Sequence, residues 1–194
     1  MSLKQRVYSV LVVSSAENFN NALSELLPES GYFPVLTSAS ISAAKRALAE
    51  REYDYVIINS PLPDDIGTRF AIDASHSSGT VVLFLVRAEL HAEIYDKVTE
   101  HGVFTLPKPT SKATMITALS WLASARERLR KFEKKTLSIE EKMTEIRLVN
   151  RAKWLLISEV KMAEPEAHRY IEKQAMDRCT SKRAVAEEII KTYS

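Results

Sequence analysis

Apolar positions along the first 120 residues recur in two alternating rhythms. Residues 8–13 form a short β-rich run, and residues 19–27 then place Phe19, Ala22, Leu23 and Leu26 at helical spacing. A second strand is expected over 32–36, followed by a helix over 40–50 with Ser40 as its N-cap. Residues 55–58 and 81–86 are almost continuously apolar, as strands covered on both faces are. A weak helix over 70–74 lies between them, a helix over 89–101 follows, and a fifth strand covers 103–106 before helix resumes at Lys112. Five strands alternating with five helices predict an α/β fold with a parallel sheet, because parallel neighbours need crossover connections.

From Ala118 the pattern becomes purely helical. Ala118, Leu122, Ala125, Leu129, Phe132, Thr136, Ile139, Met143 and Ile146 step by four and three residues, and all but Thr136 are apolar. Sustained heptads of this kind predict a coiled coil, and a second copy of the chain is the simplest partner for the seam. The helix is expected to run on without a break. The alternative is a stop near Lys135 and a new start at Ser138-Ile-Glu-Glu141, which has the form of a capping box. The first tail helix should reach about Lys161. Pro165 suits the first turn of a second, with Ala167, Tyr170, Ile171 and Ala175 inward. Thr180 or Ser181 caps a third, with Val185, Ala186, Ile189 and Ile190 inward. The tail therefore reads as a small three-helix bundle.

Composition adds three points. With 45% hydrophobic and 27% charged residues the chain reads as globular and cytoplasmic, with no apolar run long enough to span a membrane and no secretory signal peptide. Met1-Ser2-Leu3 has the form of an expression scar. The single Cys179 excludes an intramolecular disulfide and is read as a small side chain in or near a core, and the four scattered histidines show no metal-ligand spacing. Charge is uneven: residues 1–120 carry 10 Lys+Arg against 13 Asp+Glu, whereas residues 121–194 carry 17 against 12. A basic back half points to an anionic partner.

The first half resembles the response-regulator receiver family, a flavodoxin-like fold. The likeness rests on Val10-Leu-Val-Val13, on Tyr53-Asp-Tyr-Val-Ile-Ile58 running into a loop with Pro63 and Gly67, and on Gly102 leading to Lys108-Pro109. The resemblance implies a Mg²⁺ site made by two acids after the first strand, a phosphoacceptor Asp ending the third, a hydroxyl after the fourth and a Lys after the fifth. Here the acid pair is Ser14-Ser15, the phosphoacceptor position holds Asn59, and the hydroxyl position is assigned to Val86, with Arg87 beside it. Thr105 replaces the switch aromatic, and Lys108 alone remains. Two serines bring no charge to a hard cation, and an amide cannot form an acyl phosphate. Enzyme activity, a cofactor and a metal are therefore not expected. Lys108 either is a relic reaching Asn59 or a carbonyl, or faces a different anionic ligand. Asp64 and Asp65 are read as solvated turn residues.

The tail resembles the ANTAR family, the RNA-binding output modules of transcription antiterminators, of which the amidase-operon antiterminator type is closest. Ala152-Lys153, Glu166-Ala167, Ala175-Met176 and Val185-Ala186 match its pattern in order and spacing, and Trp154 departs from it where the family usually has Gly. The resemblance implies binding of hairpin loops in nascent leader transcripts, a front domain governed by a protein partner or ligand, and independence from phosphorylation. Loop recognition needs cations and flat groups. Lys153, Arg169, Lys173, Lys182 and Arg183 are the expected phosphate contacts. Trp154, Tyr170 and Tyr193 are read first as packing or capping residues and second as stackers, Met162 and Met176 as packing, and His168 as merely exposed. The organisation expected is a receiver-like domain over 1–120, a coiled-coil linker over 121–146 with Leu122, Ala125, Leu129, Phe132, Ile139, Met143 and Ile146 as dimer seam, and an RNA-binding domain over 147–194. A protein-interaction adaptor and a DNA-binding response regulator are the competing readings.

Overall fold

The apolar runs become five parallel strands in a computed structural model that describes residues 6–77 and 79–193; Met1-Ser2-Leu3 lies outside the described residues. The strands are β1 (Tyr8–Val13), β2 (Tyr32–Ser38), β3 (Tyr55–Asn59), β4 (Val81–Arg87) and β5 (Phe104–Lys108). They lie in the order β2-β1-β3-β4-β5, so the chain reverses direction across the sheet at β1. Four helices connect them: α1 (Glu17–Ser24), α2 (Ile41–Glu50), α3 (Thr68–Ser75) and α4 (Ala88–Val98), the last ending in a 3₁₀ turn, Thr99–His101. Then come α5 (Lys112–Glu159), α6 (Glu164–Asp177) and α7 (Lys182–Tyr193).

Strand alternation sorts the core into two layers. Leu11, Val13, Val56, Ile58, Val82, Phe84 and Val86 meet α2, α3 and α4 through Ala44, Phe70, Ala71 and Ile94. Their neighbours Val10, Val12, Tyr55, Ile57, Leu83 and Leu85 meet α1 and the start of α5 through Leu23, Met115, Ala118, Leu119 and Leu122. The central strands β3 and β4 are buried almost throughout, which explains their unbroken apolar sequence. Ser40 caps α2 by accepting from Ala43 N at 3.2 Å. Asp64 caps the same helix from across the chain: its carboxylate accepts from Ile41 N at 3.1 Å and from Ser42 N at 3.0 Å. Those two bonds hold the Asp64 carboxyl below its ordinary pKa. Asp65 accepts from Gly67 N at 2.6 Å, in the turn that carries Gly67 at φ 99°. Asp64 and Asp65 are thus committed to backbone donors rather than simply solvated.

The long helix α5 passes through Ser138 unbroken, so the capping-box alternative does not form. An exposed Ser costs a helix little, and the surrounding Lys, Glu, Leu and Met favour it.

Two compact units result, residues up to Glu133 and residues from Lys134. The front unit takes in α5 as far as Glu133: its first turns pack on the sheet, and an ion cluster fastens the turns that follow. Asp54, just before β3, accepts from Arg126 Nε at 2.7 Å, Arg130 Nη2 at 2.8 Å and Ser9 N at 2.9 Å. Arg126 also reaches Glu133 at 2.9 Å, and Arg130 reaches Glu127 at 3.1 Å. Burial pushes the Asp54 carboxyl up, but the bonds from Arg126, Ser9 and Arg130 outweigh it and leave the pKa below the usual range.

In the rear unit Leu148, Ala152 and Leu156 of α5 pack with Ala167, Ile171 and Ala175 of α6 and Val185, Ala186 and Ile189 of α7. Glu166 Oε2 accepts from Ala163 N at 3.2 Å at the start of α6, where Pro165 lies in the first turn. Ser181 Oγ accepts from Ala184 N at 3.2 Å and caps α7. Between them α6 ends in a left-handed residue, Cys179 at φ 49°, with Thr180 N bonded to Ala175 O at 2.9 Å. Cys179 is exposed, not near a core, because this turn carries it outward.

Candidate functional site

The front unit's site lies where β1, β3 and β5 end. Asn59 terminates β3 and is buried, and its amide is used at both ends. Its Nδ2 donates to Ser14 Oγ at 3.0 Å, and its Oδ1 accepts from Lys108 Nζ at 2.7 Å. Lys108 also donates to the Ser60 carbonyl. Ser14 Oγ accepts a second bond from Ala16 N at 3.2 Å. Lys108 thus reaches both Asn59 and a backbone carbonyl. Burial, and then the neighbouring Arg87, push the Lys108 ammonium's pKa down.

These residues do not fit Mg²⁺. Ser14 Oγ is occupied by two N–H donors, Ser15 faces solvent without charge, and Asp64 and Asp65 are held by backbone N–H groups. An acyl phosphate needs a carboxylate, and Asn59 offers an amide bonded on both sides. The assignment of the hydroxyl position to Val86 is corrected. Val86 is wholly buried in the α2–α4 layer, and the alternation that puts it there leaves Arg87 at the strand end, paired in register with Lys108. Thr105 Oγ1 lies 3.0 Å from His91 Nε2, at the position of the switch aromatic. A cleft of about 200 Å³ opens beside Lys108, walled by Phe19, Leu23, Leu26, Leu85 and Met115.

The rear unit presents a charged surface over its core. The five expected phosphate contacts divide into two groups. Lys153 pairs with Glu164 at 3.3 Å, Lys182 with Glu172 at 2.5 Å and Arg183 with Glu187 at 2.8 Å. Arg169 and Lys173 are exposed on the side of α6 turned away from Ala167, Ile171 and Ala175, and neither makes a hydrogen bond or ion pair among the described residues. Arg147 on α5 is exposed and equally unpaired; sequence reasoning passed it over because it stands outside the motif. Met176 is 77% exposed and Trp154 70%, so neither packs or caps, and Tyr170 and Tyr193 are exposed as well. Met162 does pack against the core. His168 is exposed, 3.4 Å from Glu172.

The seam divides too. Leu122 is wholly buried and half-buried Ala125 packs beside it, so both belong to the front core. Leu129, Phe132, Ile139, Met143 and Ile146 are exposed large apolar side chains. No helix among the described residues is long and apolar enough to cross a membrane.

Comparison with known proteins finds a different likeness in each half of the chain. Residues 138–190 match the ANTAR domain model. The chain is 28% identical to the transcriptional regulatory protein PdtaR of Mycobacterium tuberculosis over 186 residues, covering 94% of this chain and 89% of that one. The signal receiver domain of an HD domain-containing protein from Pseudomonas fluorescens superposes with a TM-score of 0.57 at 22% identity, over 68% of this chain and 96% of that domain. The receiver domain of HemR from Leptospira biflexa gives 0.52 at 25% identity, over 59% and 92%.

Proposed function

We propose that this chain, a response regulator that joins a receiver fold to an ANTAR domain, regulates transcription by binding hairpin loops of nascent leader RNA through its rear unit. The observation that carries this reading is the pair Arg169 and Lys173, exposed without acidic partners on the outer side of α6. Unpaired cations on a rigid helix face gain more from a phosphate backbone than cations that must first give up a carboxylate. Arg169 and Lys173 therefore lead the contacts, and Lys153, Lys182 and Arg183 join by exchanging their Glu partners for phosphates.

The front unit takes its signal without phosphorylation. A neutral amide bonded to Ser14 and Lys108 stands where the chemistry needs a carboxylate. A regulatory protein or small ligand acting on this unit is the input, and the chain acts as a regulator in the cytoplasm, not as an enzyme. The exposed seam from Leu129 to Ile146 joins two copies. In this reading residues 1–120 form the receiver-like domain, 121–146 the linker and 147–194 the RNA-binding domain, with Leu122 and Ala125 serving the receiver core rather than the seam.

The test is to recover RNA bound to the full-length protein in cells and sequence it. Enrichment of leader transcripts that share a hairpin loop is expected. Recovery of no enriched RNA would favour the adaptor reading, and equal affinity for duplex DNA would remove the RNA specificity.

A further inference from the structure

Trp154 is a large indole with no packing role in its own unit. Helix α5 buries Leu148, Ala152 and Leu156 on one side. Trp154 lies two residues beyond Ala152, about 200° round the helix at roughly 100° per residue, and so points away from the core. Its 70% exposure follows from that position. Its exposed neighbours at helical spacing are polar: Arg147, Asn150 and Arg151 precede it by seven, four and three residues and Ser158 follows by four, while Ile157, three residues on, packs against the core. Spacings of three, four and seven place these side chains in one file along the helix.

The chemistry of the file selects its partner. An apolar docking surface would set exposed aliphatic neighbours around the ring; here the exposed neighbours are two guanidinium groups, an amide and a hydroxyl, and Ile157 is packed against the core. A flat apolar ring bordered by cations complements a flat apolar group bordered by anions, which is what an unpaired nucleotide presents. Every base has a π-face, so such a contact asks for an unstacked base rather than a particular sequence.

We propose that Trp154 is a stacking platform for one unpaired base of a bound RNA loop, with Arg147 and Arg151 set against the adjoining phosphates. The proposal rests on the RNA-binding reading above and adds to it a named contact and a requirement for single-stranded character. A stem without a loop meets the cations but leaves the indole unused.

The experiment uses the full chain carrying Trp121→Phe, so that Trp154 is the one remaining indole of the two in the sequence. Its emission is followed during titration with hairpin RNAs bearing randomised loops and, separately, with the same stems closed as blunt duplexes. Loop RNA is expected to quench the emission at saturation, and blunt stems are not. Trp154→Ala should weaken loop-RNA binding about tenfold, the effect of losing one stacked base. Trp154→Phe should restore most of it, with solution mass unchanged in both variants. Undiminished binding by Trp154→Ala, with no change in indole emission, would overturn the stacking proposal and leave the RNA-binding reading standing. A change in solution mass on Trp154→Ala would assign the ring to a protein contact and overturn it equally. Failure of the wild-type chain to bind any loop RNA would defeat the RNA-binding reading itself.

Discussion

In the front unit the residues that stand at the receiver family's working positions, Ser14, Asn59 and Lys108, turn inward and bond to one another. In the rear unit the residues that carry the ANTAR likeness are mostly the core itself. Ala152, Ala167, Ala175, Val185 and Ala186 are buried together, and Glu166 caps the helix it opens. Small side chains at those positions let α5, α6 and α7 approach closely, so a motif made of them reports packing. Arg169, Lys173 and Arg147, exposed cations without ion-pair partners among the described residues, stand outside the matched pairs. A family likeness can therefore mean two things in one chain. In front it identifies a fold whose working positions hold Ser14, Asn59 and Lys108 in mutual hydrogen bonds, and behind it identifies a scaffold whose exposed surface must be read from charge.

The sharpest way to break this comparison is to remove the rear core alone. Leu156→Ala should cost the rear unit about 2–5 kcal/mol, the range for a buried leucine. Urea unfolding followed by separate probes should then show the rear transition shifted and the front one in place. A common shift would mean that the two units unfold as one.

Asp54→Asn makes the reciprocal cut. Losing charge-assisted bonds to Arg126 and Arg130 should lower front-unit stability by about 2–3 kcal/mol. The pH dependence has a definite sign. The folded Asp54 pKa lies below the unfolded value near ~3.9, so its stabilisation is fully present above that value and is lost as pH falls through the folded pKa. The gap between wild type and Asp54→Asn should hold from neutral pH to about 5 and close below about 4. A gap that stayed constant into strong acid would show that the carboxylate charge is not what matters.

Two smaller effects sharpen the contrast in surface chemistry. Arg169→Gln with Lys173→Gln should reduce the slope of log affinity against log salt by about 1.5–2, because two phosphate contacts are removed. Lys182→Gln should change the slope less, since Glu172 already holds that cation. Asn59→Asp gains a charged bond to Lys108 but loses the Nδ2 donor to Ser14 and buries a charge, so it should change front-unit stability by less than about 1 kcal/mol. It should still take up no phosphoryl group from acetyl phosphate and Mg²⁺, because the acid pair is missing. A phosphorylated Asn59→Asp protein, detected by mass, would show that one substitution is enough to restore the site.

Much of the fold could be read from the chain before any coordinates. The apolar runs at 55–58 and 81–86 could only be covered strands, and Ser40 before an amphipathic stretch marked the α2 cap. The seam's beginning was misread because Leu122 and Ala125 satisfy the heptad and the sheet-facing stripe at once, and only the sheet's presence decides between them. Choosing Val86 over Arg87 was a one-residue slip at a strand end, where alternation reverses the face completely. Asp64 could not be identified as a cap for α2 because its partners lie 23 and 22 residues away in sequence. Trp154 and Met176 were misjudged because size and apolarity predict burial on average, whereas their helical phase sets them outside. Sequence narrowed Lys108 to a fold relic or an anion contact, and the structure adds its bond to Asn59.

One binding experiment bears most directly on the central claim, that the rear unit reads RNA while the front unit works without phosphorylation. Affinity of the full-length protein for a loop-bearing leader hairpin and for duplex DNA of the same sequence is measured with and without acetyl phosphate and Mg²⁺. The account predicts tight hairpin binding that weakens with salt, far weaker duplex binding, and identical values in the presence of the phosphoryl donor. Equal binding to both nucleic acids, or hairpin affinity that depends on acetyl phosphate, would contradict it.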